Sequence, residues 1–274
     1  MPRAIEFEVP VDTSTFSAVQ LQPGVVASLT WNALARWLRA YLLPFPRLIR
    51  DESTGLVVMG FHLQYLDAVS FFDCEVFRVR AALRVMRRAE RCQLDLKFFM
   101  PDRVLATVRL ILCPVRIEDA VALGAAPAPL SERLLALIPQ EDLESASPAR
   151  LVPGRLAAVE TTGQLIGESR KDFRIHRYGT EVAEQWAWTH LPHIVEGARE
   201  DLALGDRSEQ RHLLRRCLRE PLARFDAEYS RPFFSFEEGT VVTRAFALGE
   251  RLGLVHRLTS AGGSVLHSTV VEVF

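Results

Sequence analysis

The sequence predicts an α+β protein of two successive blocks, each a strand, a long helix and a run of antiparallel strands. Three observations predict it. Apolar residues recur at helical spacing over 29–43 and again over 181–204, once in each half of the chain. Alternation with a period of two fills most of the remainder of both halves. Finally, Tyr65–Asp73 matches Tyr229–Glu237 without a gap: a Tyr, an apolar or Pro-containing turn, then Phe and an acid opening the next strand.

In the first block, residues 4–10 alternate as a half-buried strand. The helix 29–43 carries Trp31, Leu34, Leu38, Tyr41 and Leu42 on one stripe, with Thr30 as its expected N-cap. Pro44-Phe45-Pro46 stops it, because proline cannot continue a helix. Strands follow at 56–65, 74–86, 91–100 and 103–113, with a turn at Met100–Arg103. From about 119 to 165 the chain turns rich in Ala and Pro and reads as a partly helical connector. The second block repeats the first: a strand at 172–178, a helix at Glu181–Leu204, then strands at 224–231, 239–248, 252–260 and 264–273. Ala261-Gly262-Gly263 forms a hairpin turn in which glycine supplies the positive φ. The expected division is therefore 1–118, connector 119–165, and 166–274.

Composition excludes several classes. With 274 residues, 49% hydrophobic and 24% charged, the chain is too apolar for disorder. A net charge of −1 lacks the basic excess of a dedicated nucleic-acid binder, so no nucleic-acid partner is expected. No apolar run reaches the roughly 18–20 residues of a membrane helix, and the opening Met-Pro-Arg-Ala-Ile-Glu-Phe-Glu does not resemble a secretory signal. A cytoplasmic protein is expected. Of 33 basic residues only Lys97 and Lys171 are lysine, a bias associated with GC-rich bacterial genomes. Cys74, Cys92, Cys113 and Cys217 are too scattered for a metal site and read as reduced, buried thiols. No metal is expected. GxSxG, P-loop and GxGxxG motifs are all absent.

The most informative stretch is Tyr178-Gly-Thr-Glu181, followed by Gln185-Trp-Ala-Trp-Thr-His-Leu-Pro-His-Ile-Val-Glu-Gly-Ala-Arg-Glu-Asp201. It resembles the hotdog fold of the 4-hydroxybenzoyl-CoA thioesterase-like superfamily, whose members carry Asp-x-Asp-x-x-Gly before a helix closing in Glu-x-Ala-Arg. Glu196-Gly-Ala-Arg199 reproduces that close, and a gapless count sets Glu181 at the second acid, catalytic in one branch of the family. Gly179 replaces the first acid, Glu184 the glycine, and Gln185 and Ala187 the usual His/Asn pair. In the first block Gly24 falls at the family glycine and Leu21 at the acid. The resemblance covers about 4–115 and 170–274 and implies two tandem hotdog units, each a sheet wrapped around a helix.

The resemblance further implies a thioester hydrolase acting on an acyl group carried by coenzyme A or an acyl carrier protein, in bacterial polyketide or fatty-acid-type secondary metabolism. No cofactor is implied beyond the coenzyme A or phosphopantetheine of the substrate. One active site is expected between the units. Glu181 would attack the carbonyl directly or activate a water, the Trp188 backbone N–H would hold the oxyanion, and Gln185 would orient water or substrate. Tyr65, Tyr178, His190 and Tyr229 complete the candidate substrate contacts. The plainer readings stand beside these: Glu181 as a helix cap, Trp186 and Trp188 as core, the tyrosines as sheet packing, and His176, His190 and His193 as ordinary histidines. The arginines of 78–91 and 211–219 read as solvated faces, with phosphate binding as the sharper alternative. Two rival functions remain: a tyrosine-dependent acyltransferase or decarboxylase, and a degenerate hotdog that binds an acyl-carrier partner. Whether the chain also forms a homodimer is left open. The dehydratase pattern His-x3-Gly-x4-Pro is absent.

Overall fold

The computed structural model describes residues 3–86, 88–119, 124–206 and 209–274. Parts of the readings above fall on Met1, Pro2, Arg87 and Ala120–Leu123, which lie outside the described residues.

The first half comprises β1 (Ala4–Pro10), α1 (Pro23–Tyr41), α2 (Phe45–Glu52), β2 (Thr54–Tyr65), β3 (Val76–Met86), β4 (Arg91–Phe99) and β5 (Val104–Asp119). Short elements follow: β6 (Gly124–Pro127), α3 (Glu132–Leu135), β7 (Leu143–Glu144) and α4 (Val152–Thr162). The second half holds β8 (Gln164–Arg174), α5 (Leu191–Gly205), α6 (Arg211–Leu214), β9 (Arg224–Tyr229), β10 (Glu238–Leu248), β11 (Arg251–Ser260) and β12 (Leu266–Val273).

All strands join one sheet whose main path is β1-β3-β4-β5-β2-β9-β12-β11-β10-β8; β6 pairs with β5 and β7 with β3. From its outer edge to the central seam, the first half runs β1-β3-β4-β5-β2 and the second β8-β10-β11-β12-β9. These are the same elements in the same order. At the seam β2 and β9 are antiparallel, with Gly60 opposite Glu228, His62 opposite Asp226 and Gln64 opposite Arg224. The matched junctions repeat in hydrogen-bond detail. The Asp73 carboxylate accepts the N–H of Ser70, and the Glu237 carboxylate accepts that of Phe234. In each, the acid's own N–H donates to the carbonyl three residues back.

Alternation puts the apolar residues of β3 (Phe77, Val79, Ala81, Leu83) and β4 (Leu94, Leu96, Phe98) on one face, where α1 and α5 lie. The two helices meet at Gly24, where a Cβ would lie 2.4 Å from the His193 ring, so any larger residue would have to displace that exposed side chain. On the opposite face α4 covers part of the second half through Val152, Val159, Phe246, Val255 and Val271.

Several boundaries differ from the sequence reading, and proline explains most of them. α1 starts at Pro23 rather than 29, so Thr30 is no N-cap; it lies mid-helix and donates its hydroxyl to the Val26 carbonyl at 2.7 Å. Pro44-Phe45-Pro46 follows the end of α1 and also opens α2. The helix expected from Glu181 begins only at Leu191, after a 3-10 turn at Trp188–His190, with Pro192 in its first turn. Proline at the first helical positions forfeits no hydrogen bond and presets φ, so it marks a start as readily as a stop. The strand expected at 172–178 lies at Gln164–Arg174.

Candidate functional site

Glu181 sits on a tight loop rather than a helix. Thr180 bridges to Trp186, the Glu181 N–H donates to the Gln185 carbonyl at 2.8 Å, and the Ala187 N–H donates to the Gly179 carbonyl at 2.9 Å. Gln185 also bridges to Phe234, and the Trp186 N–H donates to the Phe233 carbonyl, which ties the loop to the segment after β9. Glu184 closes the loop with φ of +55°, in the left-handed region. A glycine would take that conformation without strain.

Near the Glu181 loop, β2 separates from β9. Their pairing ends at Gly60, and Leu56–Met59 border a narrow cavity of about 100 Å³. Glu181, Gln185, Trp188 and Tyr229 of the expected set line it, together with Trp31 from α1 and Arg231 and Phe233 from the segment after β9. The cavity is therefore walled by both halves. Its floor is aromatic: Trp188 meets Trp31 at 5.9 Å, Phe61 at 5.3 Å and Tyr229 at 6.5 Å between ring centroids.

Trp188 is the first residue of its 3-10 turn, so helix geometry leaves its backbone N–H without an intrahelical acceptor. Its indole N–H is buried and lacks a hydrogen-bond partner among the described residues. Glu181 is exposed at the mouth, yet the loop and cavity walls desolvate its carboxyl and raise it above the ordinary glutamate range. Tyr229 is half-buried, desolvation pushes its phenol up, and its hydroxyl lies 3.4 Å from the Trp188 carbonyl.

The other expected residues lie elsewhere. Tyr178 is 85% exposed and stacks on His176. Tyr65 is buried away from the cavity and donates to the Leu21 carbonyl at 2.6 Å. His190 adjoins His193 at 6.3 Å between ring centroids; burial, aided by His193, lowers it below the ordinary imidazole range. Leu21 and Glu181 do not occupy corresponding places: Leu21 lies two residues before α1, Glu181 ten before α5. Sequence reasoning missed the β2 edge and Arg231–Phe233, although the matched junction beginning at Tyr229 contains the latter.

All four cysteines are free and buried. Among the described residues no group of three His, Cys, Asp or Glu is placed to hold a metal ion. Likewise, no described helix is long and apolar enough to cross a membrane.

No protein-family model and no curated protein sequence matches the chain. Solved structures do. A Lactobacillus plantarum protein assigned as an oleoyl thioesterase superposes with a TM-score of 0.74 at 10% identity, over 99% of this chain and 96% of the other. An acyl-ACP thioesterase from Bacteroides thetaiotaomicron gives 0.68 at 11% identity, over 99% and 97%. The 12:0-ACP thioesterase from Umbellularia californica gives 0.66 at 8% identity, over 99% and 94%. The chain has the hotdog fold seen in these thioesterase structures.

Proposed function

We propose that the protein is a thioester hydrolase built as two tandem hotdog units, 1–118 and 166–274, joined by the connector 119–165, with one active site between them. The observation that carries this reading is the convergence of Glu181, Gln185 and Trp188 on a single aromatic-walled cavity bordered by both halves. The substrate is an acyl group on coenzyme A or on an acyl carrier protein, of the kind handled in bacterial polyketide or fatty-acid-type metabolism.

In this reading the Glu181 carboxylate takes a proton from water as the water oxygen attacks the thioester carbonyl. The Trp188 backbone N–H donates to the developing oxyanion, and the unpartnered indole N–H of the same residue is a second donor. Gln185 orients the water. Collapse of the tetrahedral intermediate breaks the C–S bond, and the proton held on Glu181 passes to the departing thiolate, giving acid and thiol. A raised Glu181 suits a base that must take up and return a proton.

Transfer through a tyrosine is less well supported. Tyr229 is the one expected tyrosine in the cavity, and burial keeps its phenol protonated, a donor rather than a nucleophile.

The test is a panel of acyl-CoA and acyl-carrier thioesters assayed for free thiol. Hydrolysis by the wild-type protein and its loss in Glu181→Gln, with the fold intact by circular dichroism, is the expected result. Tight binding without turnover would instead identify a degenerate hotdog that holds an acyl carrier.

A further inference from the structure

A second cavity lies on the sheet face opposite α1 and α5 and is not used by the proposed chemistry. It is an open groove of about 650 Å³ over the first half, bordered by Leu151 and Arg155 at the start of α4. The strand registers define its floor. Arg80 on β3 lies opposite Lys97 on β4, Lys97 opposite Thr107 on β5, Thr107 opposite Gln64 on β2, and Gln64 opposite Arg224 on β9. These five side chains form one transverse row across five strands, about 19 Å long at the usual strand spacing. These five positions hold three cations and no carboxylate; beyond them, on β1, Glu6 lies opposite Arg80.

The neighbouring row is built differently. There Asp95, Arg109, His62 and Asp226 lie side by side on successive strands and balance one another. Arg84 and Arg109 both reach Asp95, at 3.7 and 3.5 Å. By contrast Arg80, Lys97 and Arg224 have no ion-pair partner among the described residues. Arg80 and Lys97 are directly opposed like charges, which weakens a sheet, and Glu6, which faces Arg80 from β1, reaches Arg78 instead at 3.8 Å. The groove as a whole carries more cations than carboxylates, with Asp95 engaged by Arg84 and Arg109 and Asp226 beside Arg155, and such an excess attracts an anion that enters.

We infer that this row is a binding site for an extended, multiply phosphorylated small molecule of nucleotide size. Adjacent phosphates sit over Arg80 and Lys97, Thr107 and Gln64 bond the middle of the ligand, and Arg224 takes an anionic group at the far end. The inference does not rest on the thioesterase reading. It concerns the opposite face of the sheet, and it gives the arginine-rich stretch beginning at Arg78 a use beyond solvation.

The experiment is isothermal titration of the full chain with tripolyphosphate, ADP and 3′-phosphorylated ADP at low salt, paired with thermal melts. Saturable 1:1 binding and a rise in Tm are expected for the wild-type protein. Arg80→Ala/Lys97→Ala/Arg224→Ala should weaken binding about tenfold or more. A control variant, Arg211→Ala/Arg215→Ala/Arg219→Ala, removes the same charge from exposed positions elsewhere and should bind as wild type. Preference for the 3′-phosphorylated nucleotide would point to the nucleotide end of coenzyme A as the source, and equal affinity to a free nucleotide. Absence of binding and of a Tm shift with all three probes, or equal weakening in both triple variants, overturns the proposal.

Discussion

His62 and Asp226 meet across the central seam, Nδ1 to Oδ1 at 3.1 Å, and occupy the same position in the two halves of the chain. The register on either side of them is symmetric: Gly60 faces Glu228 and Gln64 faces Arg224, while the two paired residues are themselves 164 positions apart. Tyr65 and Tyr229 have the same separation and end the two seam strands. A pseudo-twofold axis therefore passes between two chemically unlike side chains, where a true homodimer would place two identical ones. An Asp–His pair on such an axis requires that the halves differ.

That pair is buried, and Asp226 has little else to satisfy it. Its second oxygen lacks a hydrogen-bond partner among the described residues, with Arg155 at 3.8 Å. His62→Leu should therefore cost about 3 kcal/mol by leaving a buried carboxylate without its partner. His62→Leu/Asp226→Leu should recover most of that loss, because removing both buried polar groups removes the desolvation cost. Chemical denaturation of the two variants at neutral pH checks it; equal losses would mean that packing, not charge, holds the seam.

Glu181 links stability to activity with opposite signs. Its carboxyl is raised in the folded state by desolvation, so the folded chain holds this proton more tightly than the unfolded chain. The stabilisation is full below the ordinary glutamate range and is lost as pH rises through the raised value. At neutral pH the charged carboxylate is thus a net cost. Glu181→Gln should melt at or above the wild-type temperature at pH 7, with any advantage vanishing in acid. Its turnover should fall about 100-fold or more, as removal of a general base does. The wild-type rate should climb with pH through the raised carboxyl and then level. Thermal melts and pH–rate profiles on the same two proteins decide both points.

Glu184 carries left-handed backbone that its side chain does little to repay, since its ion pair with Arg177 spans 3.6 Å between two exposed groups. Glu184→Gly should stabilise the chain by about 0.5–1 kcal/mol, the relief of αL strain less the added freedom of the unfolded chain. The loop bearing Glu181 would keep its shape, so thioester turnover should be unchanged. A lower Tm would show that the Glu184 side chain contributes more than the backbone costs.

The strands were legible because a half-buried sheet writes a period of two into the sequence, and β3, β4 and β10 to β12 fall within about two residues of expectation. Helix starts were not: Pro23, Pro46 and Pro192 each lie in a first turn, yet Pro46 read as a stop and Pro192 fell inside a longer expected helix. Glu181, Gln185 and Trp188 were legible through the motif around them. Their wall on β2 was not: Leu56–Met59 read as one more apolar strand segment, and only the divergence of β2 from β9 exposes their edge. The seam pair was hidden for a related reason. The matched junctions begin three residues later, at Tyr65 and Tyr229, and a search for similar residues passes over a position where the halves hold His and Asp.

The two halves also differ beneath the helices, and the difference predicts how each core tolerates change. In the second half Thr243 lies opposite His256, and Glu272 lies diagonally across from His256 on the next strand; the three are bonded in sequence, at 2.9 and 3.1 Å. The Arg199 guanidinium closes the chain on Glu272 at 2.6 Å. Burial works to raise Glu272, but Arg199 and the His256 hydrogen bond outweigh it and hold the carboxyl below the ordinary range. The registers set Ala81, Leu96 and Leu110 at the corresponding places in the first half. The same topology thus has an apolar solution within the same chain. Arg199→Leu alone should cost about 3–5 kcal/mol, because Glu272 would be left buried and charged. Adding His256→Leu and Glu272→Leu should restore most of the stability. The wild-type network should also weaken as pH falls through the depressed Glu272 value, where its carboxylate is lost, and the triple variant should not share that acid sensitivity. Urea titrations of the three proteins from neutral to acid pH measure both effects; a triple variant as unstable as Arg199→Leu would mean that the polar chain fixes the strand geometry and that leucines cannot replace it.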